Sequence, residues 1–301
     1  MAQSVKTALA LGTFDGLHKG HKAVIACALS QKERGLIPAV PLFDSHPALT
    51  LRGASPGIIL QDDLRDEMIR EAGAEVHIIS FSEICGYTPE QFADEILIKR
   101  LNAGFVCCGE NYSFGSGGAG NREILAALCR DRGIGFEAVP TVRFRGSPIS
   151  SSRIRSNIIR GNIREANRLL GYEFRYKSVV KSGFHRGRLL GAPTINQYFE
   201  ENFCIPKAGV YASVTVIDGA EYPSVTNIGI RPTFENSDLR SETCIIGFDG
   251  NLYGQYLEIR LLDRLRGEVR FNSGEALSNQ IAADAEQAKH IFAERKRKNV
   301  R

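Results

Sequence analysis

A segment near the start of the chain is the most informative about the fold and reads Gly12-Thr13-Phe14-Asp15-Gly16-Leu17-His18-Lys19-Gly20-His21. An apolar run, Ala8 to Leu11, precedes it and predicts a buried strand, and an amphipathic stretch after Gly20 predicts a helix. Backbone amides at a helix start attract phosphate, and two histidines three residues apart lie on one side of a turn. We therefore expect a phosphate-binding loop; a zinc site and an unrelated pair of surface histidines are the alternatives.

The first half of the chain alternates short apolar runs with amphipathic stretches. This alternation predicts a parallel sheet with helices on both sides, in an α/β Rossmann-like domain over residues 1–172. Pro38 and Pro41 weaken one of the runs as a central strand. Thr88-Pro89-Glu90-Gln91 is typical of a helix start with a capping box. Further strands are predicted at 37–43, 76–79, 105–108 and 136–139, and helices at 62–72 and 122–129.

The second half has a different pattern, which begins near Tyr172. Short β-rich runs separated by glycine, proline and asparagine turns predict an antiparallel barrel or sandwich over residues 173–301. Ser273 is typical of a helix cap, and the apolar stripe after it predicts one long closing helix. Strands are predicted at 176–181, 209–217, 243–248 and 256–262.

Composition excludes several classes of protein. The 301 residues are 43% apolar, and no apolar run approaches the length of a membrane span. Seven cysteines without a CxxC pair indicate reduced thiols and a cytoplasmic protein. The near balance of 38 basic and 34 acidic residues gives little support for nucleic-acid binding. We expect a monomer or weak homo-oligomer without membrane or nucleic-acid partners.

Three further segments carry residues suited to phosphate chemistry. The serine-rich loop Ile149-Ser150-Ser151-Ser152-Arg153-Ile154-Arg155 offers hydroxyls and guanidinium groups to phosphate oxygens. The glycine-rich loop 183–196 ends in Thr194 and Asn196, which face the same way in an extended segment and suit a magnesium ion with ATP phosphates. Glu242 is the best candidate to accept a proton from a substrate hydroxyl. The glycines of 115–120 match GxGxxG, but we expect a flap over a ligand because no strand ends directly before them.

These motifs carry a family resemblance. The first loop resembles the HxGH loop of the nucleotidyltransferase superfamily, and the serine-rich loop resembles its second signature. The whole chain resembles the bifunctional riboflavin kinase/FMN adenylyltransferases of bacteria, also called prokaryotic FAD synthetases. Further matching segments are 109–115, 183–196, 206–211, 226–234, 252–254, 265–266 and Phe271.

The resemblance implies two reactions and a set of site residues. The barrel would phosphorylate riboflavin with ATP, with Glu242 as base, and the first domain would join FMN to AMP and release pyrophosphate. Mg²⁺ would be the cofactor, and ATP, riboflavin, FMN and FAD the substrates and products. The implied metal ligands are Thr194 and Asn196, and the implied catalytic residues of the first domain are His18 and His21. The implied nucleotide and phosphate contacts are Gly12, Phe14, Asp15, Gly16, Gly20, Asn111, Ser150, Ser151, Arg155, Gly183, Gly187, Arg188 and Gly191.

Some positions depart from the family pattern. Ser116 and Gly118 stand where basic residues are common, and Cys244 stands where histidine is frequent. Two lost cations beside a phosphate-bearing substrate would weaken FMN binding, so a working kinase with an impaired or repurposed transferase domain is an alternative. A transferase for another phosphate ester, a non-catalytic flavin-binding protein and a nucleic-acid-binding protein are the others.

Overall fold

The computed structural model describes residues 5–181, 194–232 and 237–299. The chain divides into two compact units. The first comprises Met1–Ile58 and Asp62–Ser151, and the second comprises Ile59–Gln61 and Ser152–Arg301. Two helices that precede Tyr172 therefore group with the second unit, and the domain boundary at Tyr172 stays a prediction.

A five-stranded sheet forms the centre of the first unit, with the order β3-β2-β1-β4-β5 and every described pair parallel. All five residues of β1 are buried, so both faces of the sheet are covered. The predicted parallel α/β sheet is confirmed. Its strands are β1 (Thr7–Leu11), β2 (Ile37–Phe43), β3 (Glu75–Ile79), β4 (Ala103–Gly109) and β5 (Gly135–Val139).

The helices of this unit follow the sequence signals closely. Thr88 and Gln91 form the predicted capping box at the start of α5. Gly35 ends the first helical segment in a left-handed conformation, after a 3₁₀ turn at Gln31–Arg34. The helices are α1 (Lys19–Ser30), α2 (Pro47–Arg52), α3 (Asp62–Glu71), α4 (Phe81–Ile84), α5 (Pro89–Gln91, continued by a π-helix over Phe92–Arg100) and α6 (Arg122–Asp131).

Strand β2 differs from the expectation that its prolines weaken it as a central strand. It lies between two neighbouring strands of the sheet. It pairs with β1 only over Ile37–Ala39 and with β3 only over Ala39–Phe43. Each neighbour therefore engages about half of the strand. This divided pairing explains how a strand with two missing N–H donors is accommodated inside the sheet.

A six-stranded antiparallel sheet forms the centre of the second unit, with the order β8-β13-β10-β11-β12-β9. A bridge between Lys181 and Asn196 joins its two outer strands, so the sheet closes almost completely into a barrel, as predicted. Its strands are β8 (Arg175–Val179), β9 (Thr194–Tyr198), β10 (Gly209–Ile217), β11 (Ala220–Pro232), β12 (Ser237–Ile245) and β13 (Tyr256–Arg266). A two-stranded hairpin of β6 (Arg143–Phe144) and β7 (Ser147–Pro148) precedes this unit in the chain.

The two faces of the barrel sheet differ in chemistry. The inner face carries buried hydroxyls, and Thr226 Oγ1 lies 2.8 Å from both Ser213 Oγ and Thr243 Oγ1. On the outer face, Ala212 and Val214 pack against Phe292 of the closing helix. The helices of this unit are α7 (Ser151–Ile159, whose first residue belongs to the first unit), α8 (Ile163–Leu170) and α9 (Gly274–Asn299).

Ion pairs stabilise the packing of the closing helix α9 against the barrel. Asp284, which is buried, accepts two hydrogen bonds from Arg266 Nε and one from its Nη2, at 2.8 to 3.2 Å. Arg295 pairs with both Glu173 and Glu221. The predicted cap is also present, since Ser273 Oγ accepts a hydrogen bond from the Ala276 amide at 3.1 Å.

Candidate active sites

Two stacked imidazoles form the centre of a candidate site in the first unit. The rings of His18 and His21 lie 3.6 Å apart between centroids, with an interplanar angle of 14°. His18 is the N-cap of α1, and its Nδ1 accepts a hydrogen bond from the His21 amide at 3.2 Å. Because Nδ1 is an acceptor, the proton of the neutral His18 ring lies on Nε2, which is then available as a donor.

Burial keeps both rings neutral. Desolvation lowers the pKa of His18 to about 4. Desolvation and, secondarily, the neighbouring His18 lower the pKa of His21 well below its ordinary value. At neutral pH the pair therefore supplies hydrogen-bond donors without a permanent positive charge. The described residues contain no cluster of three histidine, cysteine or acidic side chains able to hold a metal, so they give the zinc alternative no third ligand.

The glycines of the loop make room for its own aromatic rings. A Cβ at Gly20 would lie 3.0 Å from His18 Cε1, and one at Gly12 would lie 3.2 Å from Phe14 Cζ. Phe14 is fully buried and has a φ of 51°, while Gly16 has a φ of 81°. These positions therefore have a local packing role that the sequence did not reveal. Asp15, also predicted in the site, is buried and has interaction partners.

The histidine pair lines a cavity of about 290 Å³ at the carboxyl edge of the parallel sheet. This is where ligands of open α/β sheets bind. Predicted residues in its lining are Gly12, Gly20 and Asn111. The cavity is also lined by Glu110 and by the segment 139–142, which begins at the last residue of β5, and these were missed. The rule that ligands bind at the carboxyl ends of parallel strands would have identified residues 139–142 as lining residues from the sequence.

The serine-rich loop meets the first loop, as the two-signature interpretation requires. Ser151 Oγ donates a hydrogen bond to the Asp15 carbonyl at 2.9 Å. Ser150 is exposed just before α7. Arg155 is buried, has interaction partners and belongs to the second unit.

The glycine-rich segment 115–120 forms a tight turn rather than the start of a dinucleotide site. Phe114 pairs with Gly120, a 3₁₀ turn spans Ser116–Gly118, and Asn121 then caps α6. Gly118 lies in this exposed turn with a φ of 71°. The flap hypothesis stays a prediction.

The barrel holds the second candidate site on its outer face. Asn196 on β9 lies directly opposite Glu242 on β12. Thr194, two residues before Asn196, shares its face. Arg240, on the same face of β12, donates a hydrogen bond from Nη2 to Glu242 Oε1 at 3.1 Å. Arg240 was missed, since a lone arginine beside a carboxylate is ordinary in a sequence.

The donors on β9 suit magnesium. The Oδ1 atom of Asn196 is buried and has no hydrogen-bond partner among the described residues. A threonine hydroxyl and an amide oxygen are hard ligands, and Mg²⁺ in nucleotide sites uses few protein ligands beside phosphate oxygens. Thr194 and Asn196 therefore fit the implied ion. Four predicted contacts, Gly183, Gly187, Arg188 and Gly191, lie outside the described residues.

Comparison with known proteins agrees with the fold of both units. The fold and the two candidate sites indicate a two-domain transferase that handles nucleotide phosphates. Residues 1–153 match the family model for FAD synthetase, and residues 170–292 match the family model for riboflavin kinase. The chain belongs to the bifunctional riboflavin kinase/FMN adenylyltransferase family. It is an enzyme of flavin metabolism whose substrates are ATP and flavins, with Mg²⁺ as cofactor.

Individual relatives cover nearly the whole chain. A bifunctional riboflavin kinase/FMN adenylyltransferase of Listeria monocytogenes is 34% identical over 96% of this chain and 93% of its own length. That of Bacillus subtilis is 32% identical over 97% and 94%. A crystal structure of a Streptococcus pneumoniae protein, described as a macrolide-efflux protein, has a TM-score of 0.87 at 30% identity, covering 96% of this chain and 95% of the other.

That description disagrees with the family models and the curated relatives, which all name flavin enzymes. The family assignment follows from these, because the family models match nearly the whole chain as two consecutive domains. In the described part of the chain, no helix combines the length and the apolar character that crossing a bilayer requires.

Proposed function

We propose that the outer face of the barrel phosphorylates riboflavin, with Glu242 as the base and with Thr194 and Asn196 holding Mg²⁺ and ATP phosphates. The observation that supports this most is the buried Oδ1 of Asn196, which lies on the residue directly opposite Glu242 and has no hydrogen-bond partner among the described residues. Mg²⁺ supplies charge neutralisation on the phosphate oxygens when it is bound. Glu242 takes the proton of the attacking hydroxyl, and Arg240 holds its carboxylate.

We further propose that the first unit transfers AMP from ATP to FMN at the His18–His21 cavity. The phosphate of FMN is already anionic near neutral pH, so this step needs alignment and charge stabilisation rather than a base. The Nε2–H of His18 donates to phosphate oxygens as charge develops on the departing pyrophosphate. Phe14, Asp15 and Gly16 shape the loop, while the remaining contacts come from Gly12, Gly20, Asn111, Ser150 and Ser151. The phosphate contact of Arg155 stays a prediction.

A chromatographic product assay with riboflavin, ATP and Mg²⁺, repeated with FMN as the starting flavin, tests both assignments. The wild-type enzyme is expected to form FMN and then FAD, and to form FAD from supplied FMN. Glu242→Gln is expected to reduce FMN formation about 10²- to 10⁴-fold, the usual contribution of a general base, and to spare FAD formation. Unchanged kinase turnover in this variant would remove Glu242 from its role.

The lack of basic residues in the sequence of the 115–120 turn favours one alternative, a working kinase with an impaired transferase unit. This alternative would be established if FMN formed from riboflavin but no FAD formed from either starting flavin. Flavin binding without turnover would instead indicate a non-catalytic protein. A steep salt dependence of polynucleotide binding would contradict the expected absence of a nucleic-acid partner. The cytoplasmic location and the monomeric or weakly oligomeric state stay predictions.

A further inference from the structure

Three side chains form a row across adjacent strands on the outer face of the barrel. Glu242 on β12 pairs in register with Asn196 on β9 and, on its other side, with Asn227 on β11. Directly opposed residues of antiparallel strands project from the same face, with roughly 5 Å between neighbours. The candidate base therefore lies in the middle of the row, with one amide on each side.

Both amides place their oxygen atom in an enclosed position. The Oδ1 atoms of Asn196 and Asn227 are buried, and neither has a hydrogen-bond partner among the described residues. Buried polar atoms in native proteins are nearly always paired with protein, water or a ligand. Two acceptors without a partner among the described residues, on either side of a carboxylate, therefore indicate that further groups such as a bound ligand complete the row.

The two ends of the row differ in chemistry. On β9, Thr194 adds a hydroxyl to the face that carries Asn196. On β11, the residue two positions before Asn227 is Val225, which packs against the apolar cluster under α9. A hydroxyl beside an amide suits a cation and phosphate oxygens, whereas an amide beside an apolar surface suits an alcohol on a largely apolar molecule.

We propose that Asn227 binds the polyol tail of the flavin, so that the row separates a phosphate side on β9 from an alcohol side on β11. This inference rests on the proposed function, in which Glu242 is the kinase base. The Oδ1 of Asn227 accepts a hydrogen bond from a secondary hydroxyl of the tail and thereby aligns the terminal hydroxyl. That terminal oxygen forms the new bond to the γ-phosphorus, the bond to the β,γ-bridging oxygen breaks, and ADP leaves with its electron pair. Glu242, between the two sides, takes the proton.

The arrangement makes Asn227 a specificity-determining residue for the acceptor substrate. A flavin with a 5-hydroxypentyl tail keeps the terminal hydroxyl but lacks the secondary hydroxyls that Asn227 would bind. Wild-type enzyme is therefore expected to prefer riboflavin to this analogue. Replacing Asn227 removes this hydrogen-bond acceptor, so the variant is expected to lose the preference for riboflavin over the analogue.

The experiment compares Asn227→Ala with Asn196→Ala in the full chain. Kinase kcat/KM is measured with riboflavin and with the 5-hydroxypentyl analogue, together with the KM for ATP. Asn227→Ala is expected to lower kcat/KM for riboflavin about tenfold, to leave the value for the analogue nearly unchanged, and to leave the KM for ATP unchanged. Asn196→Ala, on the phosphate side, is expected to raise the KM for ATP and to affect both flavins equally. FAD formation from supplied FMN monitors the first unit in each preparation.

The inference would be overturned if Asn227→Ala lowered kcat/KM equally for riboflavin and the analogue, or if it raised the KM for ATP. A purely structural role of Asn227, or a water bound to it, would affect both flavins alike because neither distinguishes the two tails. Asn227→Ser provides a second variant if the alanine variant fails to fold. Its small hydroxyl acceptor is expected to restore part of the preference for riboflavin, and no preference would count against the inference. The proposed kinase function is tested separately, because unchanged kinase turnover in Glu242→Gln rejects it. If Glu242→Gln loses kinase activity but Asn227→Ala keeps the wild-type preference for riboflavin over the analogue, only the role of Asn227 is rejected.

Discussion

The stacked imidazoles of His18 and His21 act at the residue scale as neutral donors, because burial lowers the pKa of both rings. The cap hydrogen bond to Nδ1 of His18 fixes the ring orientation and its tautomer. A positive charge on either ring is therefore not required before ATP binds in the proposed reaction. Phosphate oxygens that approach the rings in that reaction would raise the pKa of the imidazoles, because a nearby negative charge favours the protonated form.

We expect His21→Ala to reduce FAD formation from FMN at least about 100-fold, the usual loss on removing one donor to a developing charge. Kinase activity is expected to be spared, since it belongs to the barrel. His77→Ala is the matched control, because it removes a histidine of the same unit from strand β3, outside the cavity lining. Equal loss of both activities in His21→Ala would point to misfolding instead.

The lowered pKa of His18 also predicts how stability depends on pH. Its pKa is about 4 in the folded protein and 6.5 in the reference state, so between these values the unfolded chain binds more protons. Stability is therefore expected to fall as the pH drops from 6.5 to 4, by up to about 3 kcal/mol from this group.

His18→Asn tests this dependence, because asparagine retains the N-cap acceptor and removes the titrating ring. Urea unfolding at pH 7 and pH 4.5 is the measurement. Wild type is expected to lose more stability than the variant between the two values. A similar loss in both proteins would show that other groups dominate the acid response.

Sequence reasoning identified the residue types of both sites better than their surroundings. The chemistry of two histidines in a three-glycine loop, and of a threonine–asparagine pair, is indicated by the residue types and their spacing alone. The tautomer of His18 depends on cap geometry, and the position of Asn227 opposite Glu242 depends on strand register. Strand register joins residues that are distant in sequence, so the local sequence could not place Asn227 beside Glu242. Arg240 lies two residues from Glu242 on the same strand, but such a pair is too ordinary in a sequence to single out.

At the scale of secondary-structure elements, one close contact determines how β5 joins the sheet. Gly135 on β5 lies opposite Phe105 on β4, and a Cβ at Gly135 would lie 2.3 Å from Phe105 Cδ2. The ring of Phe105 thus occupies the space over the glycine. We expect Gly135→Ala to destabilise the first unit by about 1–3 kcal/mol, the usual cost of overpacking a core.

Gly86→Ala is the matched control for this substitution, since no atom lies within 4 Å of a Cβ added there. It is expected to change stability by less than about 0.5 kcal/mol. Urea unfolding followed by FAD formation from FMN reports on the first unit, and kinase activity reports on the barrel. Indistinguishable midpoints for the two variants would contradict the packing argument.

The elements were predicted best where hydrophobic periodicity was strong. The parallel strands, the α5 capping box and the Ser273 cap are all present. Two barrel strands were missed: β9 is polar in sequence, and β11 contains two prolines and a glycine. Their backbones are stabilised by neighbours distant in sequence, so local propensity could not reveal them.

At the scale of the whole molecule, the chain places two phosphate chemistries in two units with separate cores. The match of both halves to the family, in order, was visible in the sequence because each half has its own motif set. The boundary at Tyr172 stays a prediction, and helices α7 and α8, which precede the change to β-rich sequence, group with the barrel. Packing partners, rather than the composition of a segment, determine that assignment.

Separate sites predict that the two activities can be supplied by different molecules. His21→Ala retains the kinase and Glu242→Gln retains the transferase, so neither variant alone is expected to make FAD efficiently from riboflavin. A mixture of the two is expected to restore FAD formation, with free FMN accumulating first because it must diffuse from one molecule to the other. Chromatography of time points measures both flavins.

The kinetics of the mixture distinguish exchange through solution from transfer within one chain. The lag before FAD appears is expected to shorten as both variants are made more concentrated, while wild type at matched transferase concentration gives the reference lag. A wild-type lag equal to that of the mixture would mean that FMN is released into solution between the two reactions. A mixture that makes FMN but no FAD, although Glu242→Gln converts supplied FMN, would contradict independent sites and require both to be intact in one molecule.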